Sequence, residues 1–305
     1  MNSDNKKING WINLNKPEGI SSSKCVIILK KILNVKKIGH AGTLDPLAEG
    51  LLPIGIGKAT KLIPYINNGL KTYNFTIKWG IQTTTDDSDG EVLFQSNHFP
   101  KLKDINLKLK NFIGSIQQTP PKVSAVKVSG RRAYKLVREN KNFKIKPKSV
   151  YVKNLIIINH KSSMTSFNIE CGKGFYVRSL ARDLGKCLDT FGHILSLERV
   201  KVGKFNKETS ILLDDLLKIG ERHQLINCLE PSISMLDDIL AYEIESESEL
   251  FNLSLGKSII IDDHKIKKSS SKFIDKELIF LSYEGDIVSI GKLVGNLFKP
   301  KKVLI

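Results

Sequence analysis

Cysteine is scarce in this sequence of 305 residues, and no two cysteines are near each other. The four of them include no C-x-x-C pair: Cys25, Cys171, Cys187 and Cys228. That spacing excludes a zinc ribbon, a dithiol redox site and a secreted disulfide framework. We therefore expect reduced thiols and a cytoplasmic location.

Long apolar runs are also missing. No segment approaches the roughly 18 consecutive apolar residues of a membrane-spanning helix, and the N-terminal residues MNSDNKKINGWINLNKP contain no apolar signal-peptide core. The six histidines are scattered, and none lies at metal-ligand spacing from another ligand type. The sequence therefore predicts a soluble protein that binds no membrane and no metal.

Complete phosphate-binding motifs are missing as well. The stretch GIGKAT at 55–60 resembles a phosphate loop, but Leu52 stands where that motif needs glycine and Ala59 where it needs serine or threonine. The dinucleotide fingerprint fails at Thr60, where its third glycine would fall. We therefore expect no nucleotide cofactor.

Positive charge is what the sequence has in excess: 48 lysines and arginines against 31 aspartates and glutamates, or +17. Residues 241–305 hold 10 basic and 10 acidic side chains, so the whole excess lies in 1–240. Segment 101–153 alone holds 15 basic and 2 acidic residues. Because Tyr134 and small residues are interleaved with these charges, looped or single-stranded RNA is the favoured partner. A solvated lysine-rich surface is the alternative.

The residue patterns predict an α+β fold. Helices are expected at 22–33, 131–139 and 177–188, and strands at 72–79, 151–158, 165–171 and 197–202. The polar turn TTTDDSDG predicts a hairpin that returns through 91–94. An acidic stretch that begins at Tyr242 indicates a boundary near residue 240, followed by short β-rich runs.

One carboxylate, Asp45, lies in the apolar stretch GHAGTLDPLAEGLLPIGIGKATK at 39–61. Asp followed by Pro46 can cap a helix that begins there. It can also be a preorganised nucleophile, which needs a cationic partner because burial raises the pKa of a carboxyl group and a nearby arginine lowers it. The pattern alone leaves both interpretations open.

Five ordered motifs give the chain a resemblance that spans nearly its full length. They are NKPEGISS at 15–22, GHAGTLDPLAEGLLP at 39–53, TYNF around Tyr73, QTPPKVSAVKVSGRRAYKLVRE at 118–139 and KGFYVRSLARDLG at 173–185. With these motifs the chain resembles the TruB family of bacterial tRNA pseudouridine synthases. Two positions depart from the family pattern: Val123 stands where tyrosine is expected, and Glu49 replaces a small polar residue.

The resemblance implies a mixed, largely antiparallel sheet flanked by helices over 1–240 and a β-rich PUA-like domain over 241–305. Within 1–240, the charge of 101–153 makes that segment the expected part that grips RNA. The resemblance implies isomerisation of the T-loop uridine of tRNA, position 55, to pseudouridine by base flipping and a transient covalent bond to an aspartate. No cofactor is needed for such an isomerisation. The implied partner is the T-stem-loop of tRNA, bound by a monomer without an obligate protein partner.

The resemblance also assigns the catalytic residues. Asp45 would be the nucleophile, attacking either the base or the sugar, and Arg178 would keep it ionised. Tyr73 would stack on the flipped uracil and assist proton removal. Read in isolation, Arg178 is better explained as a surface cation that opens an amphipathic helix, and only together with the GTLDP motif is the catalytic role favoured. Tyr73 is explained equally well as a packed strand residue.

Four further residues are assigned to substrate binding in the same way. Tyr176 and Leu197 would line the uracil site, with an ordinary core role as the alternative. His40 would fill the gap that the flipped nucleotide leaves, and Lys61 would contact a phosphate or remain solvated. The competing functions are a non-catalytic tRNA-binding folding chaperone and a guide-dependent RNA pseudouridine synthase similar to dyskerin.

Overall fold

A computed structural model describes residues 8–66, 69–219, 222–236, 239–267 and 277–305. Its strands are β1 Gly10–Lys16, β2 Ile38–His40, β3 Glu49–Ile56, β4 Lys71–Trp79, β5 Ile81–Thr83, β6 Val92–Gln95, β7 Gly114–Gln118, β8 Lys127–Val128, β9 Arg131–Arg132, β10 Lys148–Lys161, β11 Met164–Cys171, β12 Gly192–Val202, β13 Phe205–Asn206, β14 Ile211–Leu212, β15 Leu240–Glu243, β16 Ile259–Ile260, β17 Leu278–Tyr283, β18 Asp286–Val294 and β19 Leu297–Val303. Its helices are α1 Ser22–Leu33, α2 Ile63–Ile66, α3 Leu102–Leu109, α4 Ala133–Arg138, α5 Val177–Cys187, α6 Leu213–Ile219, α7 Arg222–Asn227 and α8 Glu247–Ser254.

The chain divides into two compact units. The first unit comprises Met1–Leu44, Gly50–Gly69 and Val202–Ile305, and the second comprises Asp45–Glu49 and Leu70–Lys201.

In the second unit the strands lie side by side in the order β12, β4, β11, β10, β7. Strands β4 and β11 pair antiparallel over eight residues, and buried and half-buried residues alternate along β11 because side chains of a strand point to opposite faces. Phe75 and Phe167, opposite each other in this pairing, stack with their ring centroids 5.1 Å apart. The strands predicted at 72–79, 151–158 and 165–171 are therefore present, with β10 longer than expected.

The predicted hairpin return at 91–94 pairs with a different strand from the one expected. Strand β6 pairs antiparallel with the short β5, whereas β4 pairs with β11. Gly80 separates β4 from β5 in a left-handed conformation, φ +84°, and a Cβ there would lie 2.6 Å from the carbonyl oxygen of Ser96. The chain therefore turns at this glycine, and the polar residues 84–90 form the loop between β5 and β6.

Helix α5 confirms the helix predicted at 177–188. Val177, Leu180, Ala181 and Leu184 are buried and recur at helical spacing, so one face packs into the core, where α5 contacts β4. Gly185 permits a close approach, since a Cβ would lie 2.8 Å from the backbone nitrogen of Gly192. The other predicted helix, 131–139, is shorter: Arg131–Arg132 belong to β9, and α4 begins at Ala133.

In the first unit β1 pairs antiparallel with β3 and parallel with β14, and β2 pairs with β3. Helix α1 has the bounds predicted for it. The Ser21 side chain caps its N-terminus by accepting a hydrogen bond from the Lys24 N–H, and Asn34 ends it in a left-handed conformation, φ 49°.

The C-terminal strands form a separate sheet in the order β15, β17, β18, β19, β16. One apolar cluster of the first unit joins residues of this sheet, such as Phe280 and Ile290, to Trp11 of β1. The α+β class, with a largely antiparallel sheet and a β-rich C-terminal part, is therefore confirmed. The predicted boundary at residue 240 lies inside the first unit and stays a prediction, as does the PUA-like character of 241–305.

Candidate active site

Asp45 lies in an irregular segment of the second unit, not at a helix terminus. The chain makes a tight turn here, in which the N–H of Ala48 donates to the carbonyl of Asp45 at 3.1 Å, and no helix begins at Asp45 or Pro46. The helix-cap interpretation is therefore wrong. Leu47 and Ala48 are buried, but 36% of the Asp45 side chain remains exposed. The carboxylate is thus presented on an apolar turn with access to solvent.

Arg178, the second residue of α5, faces this carboxylate. Its Nη2 lies 2.8 Å from Oδ2 of Asp45 and its Nη1 lies 3.4 Å from Oδ2 of Asp87. The guanidinium also donates to the carbonyls of Thr85 at 2.9 Å and Val123 at 3.1 Å. Only 5% of the Arg178 side chain is exposed. A buried cation is therefore fixed between two carboxylates and two carbonyls, with Asp45 on its accessible side.

Asp87 is the buried counterpart of Asp45, and no sequence motif pointed to it as a site residue. Its side chain is 5% exposed, and burial raises the pKa of this carboxyl group, opposed by a hydrogen bond from the Thr85 hydroxyl and by the charge of Arg178. The N–H of Asp89 donates to it at 3.2 Å. The loop between β5 and β6, expected to be only a polar turn, thus supplies an acid to the Arg178 cluster.

A second arginine and a third aspartate lie beside this cluster. Arg182, four residues after Arg178 on α5, places Nη1 3.0 Å from Oδ2 of Asp86. Its Nη2 donates to the carbonyl of Thr119 at 2.8 Å, and its Nε donates to Asp183 at 2.9 Å. The only sequence signal for this arrangement was two arginines at helical i, i+4 spacing and two adjacent acids in one turn.

Tyr73 is on β4, and its hydroxyl forms a hydrogen bond with the Arg199 side chain. Burial raises the pKa of Tyr73, the charge of Arg199 lowers it, and the negative charge of Asp45 adds a smaller increase. Arg199 is 2% exposed on β12. Leu197, also buried, precedes it by two residues and so points to the same face of that strand.

Tyr176 immediately precedes α5 and is held through its backbone. Gln118, buried at the end of β7, accepts from the Tyr176 N–H at 2.8 Å and donates to the Tyr176 carbonyl at 3.1 Å. Burial raises the pKa of the Tyr176 phenol, and the charge of Asp45 raises it further. The structure thus brings Asp45, Arg178, Tyr73 and Tyr176 into one electrostatic neighbourhood. Gln118 is a positioning contact that no local sequence signal indicated.

The two remaining predicted residues belong to the first unit. His40, the last residue of β2, is partly buried and pairs in register with Ile54 of β3. The ammonium of Lys61 donates to the carbonyl of Val303 at 2.9 Å.

The positive charges of the basic segment 101–153 lie at the surface of the second unit, although part of the segment is buried. All 15 of its lysines and arginines are exposed. Acidic partners occur at Arg131 and Lys141, which both contact Glu139, and at Lys153, which contacts Glu170. Arg138 lies over the Tyr134 ring, 5.8 Å from its centroid. Most of the positive charge therefore faces solvent.

The described residues contain no group of three or more His, Cys, Asp or Glu side chains that could hold a metal ion. Nor does any helix among them have the length and apolar character needed to cross a bilayer.

Comparison with known proteins identifies the family. Residues 30–177 match the family model described as TruB family pseudouridylate synthase (N terminal domain). Residues 178–240 match the tRNA pseudouridylate synthase B C-terminal domain. The chain belongs to the TruB family. It is therefore a pseudouridine synthase, an isomerase that converts uridine to pseudouridine.

TruB relatives match over most of the chain. The tRNA pseudouridine synthase B of Ehrlichia ruminantium (strain Gardel) is 41% identical over 297 residues, which are 96% of this chain and 98% of the relative. That of Wolbachia pipientis subsp. Culex pipiens (strain wPip) is 51% identical over 224 residues, 73% of this chain and 64% of the relative. The crystal structure of a Cbf5-Nop10-Gar1 complex matches with a TM-score of 0.74 at 23% identity, over 98% of this chain and 85% of the matched one. At that identity the structural match establishes the fold alone.

Proposed function

We propose that this TruB family member isomerises the T-loop uridine of tRNA, position 55, to pseudouridine, with Asp45 as the nucleophile. Membership of the family and the relatives named tRNA pseudouridine synthase B support the reaction and the RNA class. The observation that carries the assignment of Asp45 is its ion pair with buried Arg178, at 2.8 Å.

The reaction breaks the bond between N1 of the base and C1′ of the ribose, rotates the freed base, and joins C5 to C1′. The proton on C5 is removed and N1 gains one, so the product is an isomer and no oxidant or reductant is consumed. A carboxylate serves by bonding transiently to the base or to C1′. Arg178 contacts the Asp45 carboxylate at 2.8 Å and so holds it in place for either route.

Tyr73 is proposed to stack on the flipped uracil, an interaction worth about 1–3 kcal/mol per base. The raised pKa keeps its hydroxyl protonated at neutral pH, and Arg199 fixes the ring through that hydroxyl. Removal of the C5 proton by Tyr73 would need the phenolate, which burial disfavours. Stacking is therefore the role we assign to it first.

The remaining assignments follow the same proposal. Tyr176 and Leu197 line the uracil site, His40 fills the space that the flipped nucleotide leaves, and Lys61 contacts a phosphate. The exposed charges of 101–153 hold the RNA backbone. Residues 1–240 form the catalytic domain and 241–305 a PUA-like RNA-binding domain. We propose a cytoplasmic monomer that acts without a protein partner or cofactor.

The test is pseudouridine formation in an unmodified tRNA transcript, mapped chemically or by mass spectrometry. Asp45→Asn removes the charge with little change of shape and should abolish product while leaving tRNA affinity within about twofold. Glu49→Gln is the matched control, because Glu49 is an exposed acid only four residues away. If the Asp45→Asn variant still forms pseudouridine, Asp45 is not the nucleophile. If the wild-type protein modifies a different uridine, the T-loop uridine is not its target.

The competing functions are separated by the same reagents. A guide-dependent synthase would leave bare tRNA unmodified until a guide RNA is added, whereas the exposed 101–153 surface supports direct contact with tRNA. A folding chaperone would accelerate tRNA folding without any need for Asp45. Chaperone activity that persists in Asp45→Asn would show that the two activities coexist in one chain.

A further inference from the structure

We propose that Arg182 is a positioning residue for the isomerisation: through Asp86 it holds the 85–87 turn so that Asp87 and the Thr85 carbonyl meet Arg178. This inference rests on the proposed function of Asp45. The residues involved, Arg182 and Asp86, touch neither Asp45 nor the uracil site in the structure, so they act through Arg178.

The Arg182 side chain is held by several neighbouring groups. It is 12% exposed, and its guanidinium contacts Asp86, Asp183 and the Thr119 carbonyl at 2.8–3.2 Å. The planar guanidinium of an arginine can donate to several partners at once and is fixed by them, whereas the flexible ammonium of a lysine would be fixed less well at this position. The engaged donors leave Arg182 poorly suited to grip RNA and well suited to fix the protein around it.

The backbone at Asp86 has an uncommon conformation. This residue has φ +61°, in the left-handed region that non-glycine residues rarely adopt. Its side chain is 9% exposed and accepts from Arg182 at 3.0 Å, while its carbonyl accepts from the Ile194 N–H at 3.1 Å. An uncommon conformation persists only where the surroundings hold it, and the Arg182 contact is a charged part of those surroundings.

The 85–87 turn contacts Arg178 on both sides of Asp86. Asp87 follows Asp86 directly, and Thr85 precedes it, so the carboxylate and the carbonyl that contact Arg178 flank the residue that Arg182 holds. Arg178 and Arg182 lie one turn apart on α5 and therefore face the same loop. A shift of that loop would move two of the groups that orient the Arg178 guanidinium toward Asp45.

The experiment compares Arg182→Gln, Arg182→Lys and Asp86→Asn in the full-length protein with unmodified tRNA transcript. We expect Arg182→Gln and Asp86→Asn to lower the single-turnover rate at saturating tRNA on the order of tenfold to a hundredfold, as a displaced catalytic group does. The dissociation constant for tRNA should stay within about twofold. Arg182→Lys, which keeps a charge for Asp86, should recover part of the rate, and the Arg182→Gln/Asp86→Asn double variant should lose no more than the worse single variant.

Lys186→Gln is the matched control, because it removes an exposed cation one turn further along α5. It should leave the single-turnover rate unchanged. Circular dichroism at the assay temperature corrects each rate for any unfolded fraction. Any of three results would overturn the positioning role. The single-turnover rate could fall equally in Lys186→Gln, it could stay unchanged in Arg182→Gln, or its fall in Arg182→Gln could be explained entirely by the unfolded fraction.

A crystal structure of the Arg182→Gln variant decides the same question without any activity. We expect the 85–87 turn to move and the Asp87–Arg178 contact to open, with β4 and β11 unchanged. A turn that stays in place would contradict the inference. If wild-type protein forms no pseudouridine, the proposed function fails, and this structural result still decides what Arg182 does.

Discussion

The ion pair between Asp45 and Arg178 joins a carboxylate that is 36% exposed to a guanidinium that is 5% exposed. The protein has therefore buried the cation and left the acid accessible. A buried arginine with several partners keeps its position when a ligand arrives, whereas a half-exposed carboxylate can exchange solvent for a reacting atom. That asymmetry is what a nucleophile and its supporting cation require.

Arg178→Lys tests whether the shape of this cation matters in addition to its charge. A single ammonium cannot contact both carboxylates and both carbonyls in the geometry of the arginine fork. We expect the single-turnover rate to fall on the order of a hundredfold, with little change in tRNA affinity. Quench-flow and filter-binding measurements would check this, and an unchanged rate would show that charge alone suffices.

His193 predicts a dependence of stability on pH. It is 5% exposed, its Nδ1 lies 3.0 Å from the Ile81 carbonyl, and burial lowers its pKa from the ordinary value of 6.5. A buried neutral histidine stabilises the fold above the unfolded pKa, and this contribution is lost as pH falls through that value toward the folded pKa.

The free energy of unfolding in urea should therefore decline from about pH 7 to about pH 5. The decline should be shallower in His193→Asn, which cannot gain the proton. Exposed His264 supplies the control, and His264→Asn should keep the wild-type slope. Equal slopes in all three proteins would contradict the prediction.

Three consecutive serines should differ in what they contribute to stability. The buried Ser22 hydroxyl donates to the Leu44 carbonyl at 2.8 Å and accepts from the Leu44 N–H at 2.9 Å. Ser22→Ala leaves both backbone groups unsatisfied and should cost about 1–3 kcal/mol. Ser21→Ala removes the α1 cap and should cost about 1 kcal/mol. Exposed Ser23→Ala should change the free energy of unfolding by less than about 0.5 kcal/mol.

Thiol reactivity should follow burial. Burial raises the pKa of Cys171 to about 12, whereas Cys187 is exposed on the last turn of α5. Because the thiolate is the reactive form, Cys171 should resist alkylation in the native protein and react only after unfolding. Mass spectrometry of tryptic peptides after brief iodoacetamide treatment at about pH 8 should find the label on Cys187 first. Early label on Cys171 would contradict its burial.

Salt dependence tests the 101–153 surface. Each phosphate contact adds about 0.9 to the slope of log affinity against log salt concentration. The double variant Lys127→Gln/Lys135→Gln should therefore bind tRNA with a slope reduced by up to about two. Lys24→Gln/Lys30→Gln, which removes two exposed lysines of α1, is the charge-matched control. If the slope falls more in the control variant than in the Lys127→Gln/Lys135→Gln variant, 101–153 is not the main RNA-binding surface.

Elements with a local pattern were predictable from the sequence. Helix α1 was bounded by its capping serine and its apolar spacing, and β11 by its alternation, because both signals act within a few residues. The β5–β6 pairing was not predictable in this way, since the chain turns at Gly80 and the partner of a strand is decided by the rest of the sheet.

The residues of the candidate site also differ in how far the local sequence could predict them. Asp45 could be noticed because burying a charged carboxylate in an apolar stretch is costly unless a partner pairs with it. The family resemblance identified Arg178 as that partner. Asp86, Asp87, Arg182 and Gln118 were missed, because a polar turn and a basic amphipathic helix look like ordinary solvated surface until their burial is known. Burial of a charged group depends on contacts between distant segments, which local hydropathy does not report.

Trp11, in the first strand of the fold, belongs to the same apolar cluster as Leu304. Trp11 is translated long before Leu304. During synthesis this apolar cluster can therefore be completed only when Leu304 has emerged from the ribosome.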